Sequence, residues 1–204
     1  RAIFATAFEG VSAMEISEAE AALIAEGLPV AEVQNLCDVH AAVFKGSIKD
    51  IHKPVELTEI PGHPANILKR ENRFIEELLE TRVKPYISAL PEADAAEAIK
   101  HALADVARID IHYLRKENLL FPYLEKYGFT APPKVMWGVD DEIRRELKEI
   151  RAAVSADTLA PNLKAELESL AEKIAEMIYK EEHILLPMLL ETLTEDEWKQ
   201  IAGE

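Results

Sequence analysis

The segment IDIHYLRKENLLFPYLEKY, residues 109–127, sets His112 on a strongly helical stretch, follows it with Glu117 and closes in an apolar LLFPYL block. A weaker copy, MIYKEEHILLPMLLE, occupies residues 177–191. Aligning Phe121-Pro122 with Leu186-Pro187 lays Lys116-Glu117 over Glu181-Glu182 and His112 over Met177. Two such helices, each with an ionisable residue on its apolar face, are what a metal site inside a helical bundle requires.

Working outward, the apolar residues keep a helical period through most of the chain. A first long helix follows Pro64, with Ile67, Leu68, Ile75, Leu78, Leu79 and Val83 on one face, Glu71 and Asn72 beside that face, and an end expected by Pro85. A second runs from about Ala93 to Lys126, ending at Gly128. A third covers roughly Val135 to Val154, with Met136, Asp140, Ile143, Leu147 and Ile150 in register. A fourth covers roughly Pro161 to Glu191, with Leu163, Leu167, Leu170, Ile174, Met177, Glu181, Leu185 and Met188 on its stripe. Thr194 and Glu197 have capping-box spacing and open a terminal turn with Trp198 and Ile201. No segment alternates as a strand. The expected fold is all-α, an antiparallel four-helix bundle over residues 65–204.

Upstream, Ser17 and Glu20 form another capping pair, and Val33, Leu36, Cys37, His40, Ala41 and Phe44 recur at three and four residues up to Gly46. Residues 1–53 read as a small helical module too short to hold much core alone. KPVELTEIPGHP holds three prolines, and pre-proline geometry favours extended backbone, so residues 54–64 read as a linker.

The 204 residues carry a net charge of -15, which argues against a nucleic-acid partner. No run of about 18 apolar residues is present, so no membrane span is expected. The first residues lack the basic and cleavable features of a signal peptide. One cysteine, Cys37, forms no internal disulfide and reads as core filler, and the acidic composition suits the cytoplasm.

Three ionisable residues sit where the helical stripe calls for hydrophobes: His112, Asp140 and Glu181. An isolated buried carboxylate costs several kcal/mol, so such a group protonates, pairs or binds a cation. Imidazole with carboxylates suits iron, manganese or zinc. His63, four before Ile67, is placed to join at the top of the bundle. Glu117 lies about 140° around the helix from His112 and reaches the same interior only through a π-bulge. Lys116, at i+4 from His112, offers the alternative of a buried counter-charge. His40, His52 and His101 read as structural or surface residues and His183 as exposed, while Tyr113 and Trp137 flank the site.

HYLRKENLLFP and KEEHILLPMLLE resemble the hemerythrin-like HHE cation-binding domains. EAALIAEGLPVAEVQNLCDVHAAVFKGSI resembles the domain of unknown function that precedes such domains in many archaeal and bacterial proteins, often with a PAS sensor as well. The resemblance spans about Ile16 to Glu204 and is strengthened by the PGHP, LCDVHAAVFKGSI and VMWGVDDEIR segments. It implies a four-helix bundle with non-haem iron, mono- or dinuclear, that binds oxygen, nitric oxide or iron itself. Where such domains place histidines, this chain has Asn72, Asp140 and Met177. Where the first HxxxE motif places its glutamate, it has Lys116.

The resulting metal-ligand set is His63, His112, Asp140, Glu181 and Glu117. The expected function is small-ligand or iron binding and sensing, with a diatomic molecule or metal ion as partner. A protein partner or a homodimer is compatible with it, as is another divalent metal. Haem held by His63 and His112 is a further option. An enzyme is less favoured, because two Glu-x-x-His pairs at helix spacing are missing. The alternative function is a regulatory or interaction scaffold without metal, with Lys116–carboxylate pairs at its centre.

Overall fold

The computed structural model describes residues 19, 21–29, 32–33, 55–155 and 161–203. Most of the proposed N-terminal module, including the Ser17–Glu20 capping pair, Cys37, His40 and His52, lies outside them.

All regular structure among the described residues is helical. The linker contains a short helix, α1 (Val55–Glu59), in place of the extended run its prolines suggested. The chain then turns through Gly62, whose φ of 86° is a left-handed conformation that glycine adopts without penalty.

The first bundle rod comprises α2 (Pro64–Leu78), a π-helical turn π1 (Leu79–Val83) and α3 (Lys84–Ile87). The second comprises α4 (Ala93–Val106), α5 (Ile109–Arg115), π2 (Lys116–Leu120) and α6 (Phe121–Lys126). The third is α7 (Ala131–Val154), and the fourth is α8 (Leu163–Lys180), π3 (Glu181–Leu185) and α9 (Leu186–Thr192). A terminal helix, α10 (Glu195–Gly203), closes the chain. Its capping pair forms: the Glu197 carboxylate accepts from the Thr194 N–H at 2.9 Å, and the Glu197 N–H donates to Thr194 Oγ1 at 3.4 Å.

Three departures from the plain helical period have local causes. The first rod runs past Pro85 instead of ending there, because π1 precedes it. The same arrangement recurs twice: each π turn ends two residues before a proline, Pro85, Pro122 or Pro187. Proline lacks an N–H and crowds the carbonyl four residues back; one wider turn absorbs both problems without breaking the rod. The second rod is interrupted at Ala107–Arg108, where the N–H groups of Arg108, Asp110 and Ile111 bond to carbonyls three residues back. The third rod begins earlier than its apolar stripe, because Pro132 and Pro133 sit in its first turn, where a missing N–H costs nothing.

One continuous core links the four rods, with Leu103, Leu124, Ile143, Leu167, Leu170, Ile174 and Met177 among its fully buried side chains. A smaller cluster pairs Val33 with Val135 at the start of α7, with Ile24 and Leu28 packed on it. This ties the described N-terminal residues to the third rod. The energetic case for the fold is therefore ordinary: apolar stripes at helical spacing meet in one interior. What is unusual is the set of charges buried with them.

Candidate functional site

The π turns decide which polar groups face inward. In a regular helix two consecutive residues point about 100° apart. The widened turn at π2 instead buries both Lys116 and Glu117, and at the start of π3 the adjacent Lys180 and Glu181 are both buried. Of the aligned pairs, Lys116 and Glu181 are both fully buried, whereas Glu117 is buried and Glu182 only partly so.

At its centre, Lys116 is fully buried between the second, third and fourth rods. Its ammonium donates to Asp140 Oδ1 at 2.9 Å and to Glu181 Oε1 at 2.5 Å. The ammonium also lies 4.4 Å from the centroid of the Tyr113 ring, an arrangement in which the ring face attracts the cation. The other Glu181 oxygen, Oε2, is 3.0 Å from His112 Nε2. His112 Nδ1 in turn is 2.8 Å from Glu71 Oε2, and Arg115 binds the second Glu71 oxygen from the surface side. A continuous ion chain therefore runs from solvent to core: Arg115, Glu71, His112, Glu181, Lys116, Asp140.

The charges in this chain stabilise one another. Burial by itself would lower the His112 pKa, but the Glu181 charge and the hydrogen bonds to Glu181 and Glu71 outweigh it and raise it to about 9. Burial likewise works against the Lys116 ammonium, and the two carboxylates overcome it, so its pKa is raised. For Glu181, burial favours the neutral acid, but Lys116 and His112 together hold the group down at about 2. Asp140 is the exception. Burial raises it, Lys116 opposes the rise, Glu181 adds to it, and the group sits at about 7. Consistent with that weaker hold, Asp140 Oδ2 has no hydrogen-bond partner among the described residues, and neither do the Asn72 amide or the Tyr113 hydroxyl.

Of the five ligands expected from sequence, the structure brings three together. His112 and Glu181 are in contact, and Asp140 joins them through the Lys116 ammonium. Glu117 is buried but turned to Arg144, whose guanidinium grips it in a fork at 2.7 and 2.8 Å and also holds Asp110 at 2.7 Å. His63 caps α2, where its Nδ1 accepts from the Ala65 N–H at 3.1 Å, and its ring packs 4.8 Å from Trp198. The haem option for His63 and His112 meets its obstacle at His112, both of whose ring nitrogens face carboxylates.

The remaining histidines and flanking aromatics are also resolved by packing. His101 is exposed beside Glu97. His183 is half-buried rather than exposed, stacked on Tyr179 at 4.0 Å with Nδ1 against the Tyr179 carbonyl. Tyr113 does border the charge cluster, whereas Trp137 is largely exposed and rests on Phe121. Sequence reasoning passed over Arg144, and it saw Glu71 only as a neighbour of the apolar face. The signal for Arg144 was its place four residues after Asp140, next to the helix face that meets π2.

The fold is an all-α bundle with a cluster of paired charges at its centre. The family comparison gives it a particular place: residues 63–189 match the model of the hemerythrin HHE cation-binding domain, and the chain belongs to that family. Residues 1–50 match the model of a family of unknown function, DUF438. No curated protein matches the sequence.

Whether a metal ion suits this member depends on what fills the middle of the cluster. Metal–oxygen and metal–nitrogen bonds of about 2.0–2.2 Å would require the space that the Lys116 ammonium occupies between Asp140 and Glu181. A ligating imidazole also needs a free lone pair, yet with a pKa of about 9 and a carboxylate at each nitrogen, His112 is doubly protonated at neutral pH. Among the described residues no group of three or more His, Cys, Asp or Glu side chains is arranged to hold a metal. The residues do not fit the ion that the family name implies. They fit a cation supplied by the chain itself.

Proposed function

We propose that this chain is a hemerythrin-family bundle in which Lys116 and His112 provide the positive charge that a bound metal provides in a cation-binding member, and that it works as a metal-independent interaction module. One observation carries this reading: the Lys116 ammonium, fully buried, contacts both inward carboxylates at once. Two buried cations against Glu181 and the partly ionised Asp140 leave the interior close to electrically balanced, so the bundle needs no further ion to hold it together. The role that remains is mechanical and recognitive. The chain, of net charge -15, presents its acidic surface, in the cytoplasm, to another protein.

The competing reading is iron-based sensing of oxygen or nitric oxide, or iron binding itself. Family membership supports it, together with the convergence of His112, Asp140 and Glu181. It demands that Lys116 swing out and that His112 lose a proton when iron binds. Elemental analysis of untagged protein, before and after anaerobic incubation with ferrous iron, separates the two. The interaction-module reading expects no stoichiometric metal and a melting temperature unchanged by strong chelator. One or two irons per chain, lost on substitution of His112 by Ala, would overturn it.

A further inference from the structure

We infer that the open groove between α2 and α5 is the docking site for an acidic amphipathic helix of a partner protein. The inference rests on the interaction-module reading and names the surface and the chemistry of the partner.

The groove has a volume of about 540 Å³ along α2 and α5 and continues toward α10 as a second hollow of about 320 Å³. The two share Ile67, Glu71, His112 and Arg115. Its walls are built for a third helix. On α2, Ile67, Arg70 and Phe74 follow at three and four residues; across the groove, Arg108, Ile111 and Arg115 do the same. Such spacing leaves ridges and holes into which a helix packs. The apolar members are solvent-exposed to an extent that core logic does not explain: Phe74 57%, Ile111 49% and Ile67 38%.

Charge identifies the occupant. The protein is strongly acidic, yet this groove is lined by three arginines against two carboxylates, Glu71 and Asp105, each already paired, with Arg115 and Arg82. Arg115 is engaged by Glu71, whereas Arg70 and Arg108 are exposed and make no ion pair among the described residues. An apolar channel with arginines on both rims suits leucine-like anchors below and glutamates or aspartates above. A basic peptide would meet the unpaired Arg70 and Arg108 with like charge, and a second copy of this chain would set one net charge of -15 against another. From Pro64 to Leu78 the α2 wall spans roughly 21 Å, which accepts about four helical turns. The floor is the Glu71–His112 segment of the ion chain, so an occupant would lie directly on its outer end.

The test uses the full chain and two synthetic helical peptides of about 18 residues with leucines at i, i+4, i+7 and i+11. One carries glutamate on its polar face and the other lysine, and binding is followed by fluorescence anisotropy. The glutamate peptide should bind saturably and weaken with salt, and the lysine peptide should bind at least about tenfold more weakly. The Arg70→Glu/Arg108→Glu double variant should lose about tenfold or more in affinity, and Phe74→Ala should weaken binding at unchanged salt dependence, with melting curves showing both variants folded. Absence of saturation at about 1 mM glutamate peptide, equal binding of the lysine peptide, or undiminished binding to the double variant would overturn the inference. Metal content measured on the same preparation keeps the two readings apart. Bound iron would overturn the metal-independent function while leaving the groove result standing, and failed binding to a metal-free bundle would overturn the groove alone.

Discussion

Replacing Lys116 by methionine removes the central ammonium while keeping the length and apolar stem of the side chain. It strands two carboxylates that are both fully buried, Asp140 and Glu181, with His112 as the one cation among the described residues still bonded to Glu181. Breaking a buried ion pair by removing one partner costs about 3–5 kcal/mol. The lower end applies here, because Asp140 already sits near 7 and takes up a proton at neutral pH, which relieves part of the penalty. Loss of the Tyr113 ring contact at 4.4 Å works in the opposite direction. About 3 kcal/mol in a bundle of this size corresponds to a fall in melting temperature of roughly 6–12 °C. Urea unfolding of wild type and Lys116→Met at pH 7 measures it, and the deficit should shrink at pH 5 as the stranded acid protonates. The triple variant Lys116→Met/Asp140→Leu/Glu181→Met, which empties the cluster of its central charges, should recover most of the loss. A single variant within about 1 kcal/mol of wild type, or a triple variant no more stable than the single, would refute the claim that Lys116 neutralises this interior.

Two further outcomes follow from the same cluster. The folded-state pKa of His112 is raised above its ordinary 6.5 to about 9, so its stabilising contribution is complete below pH 6.5 and lost as the pH rises through 9. Urea midpoints should fall over that window by an amount equivalent to at most about 3 kcal/mol, and His112→Gln should flatten the decline. Lys116→Glu swaps the internal cation for a third carboxylate beside His112, Asp140 and Glu181. That variant should be destabilised without metal and regain thermal stability on adding ferrous iron or zinc, an effect absent from wild type and visible by calorimetry.

The departures at the site are as informative as the agreements. On a regular helix Glu117 lies about 140° from His112 and belongs outside. Its burial requires a π-bulge, and π2 supplies one just ahead of Pro122. Even so, burial did not bring Glu117 to the centre, because Arg144 on the third rod offers it a two-pronged bond at the rim. His63, expected at the top of the bundle, is held by a local competitor: the free Ala65 N–H at the start of α2, which its ring nitrogen caps.

Periodicity by itself determined that the chain is all-α, where its four rods lie, and that His112, Asp140 and Glu181 point inward. Those properties repeat every few residues along one helix and are written locally. Only the tertiary structure decided which charge answers which. Lys116 meets Asp140 and Glu181 across separations of 24 and 65 residues, and His112 meets Glu181 across 69. Whether an inward carboxylate faces a metal ion, a lysine or an arginine depends on side chains converging from different rods at 2.5–3.0 Å. No pattern within a single helix encodes that convergence.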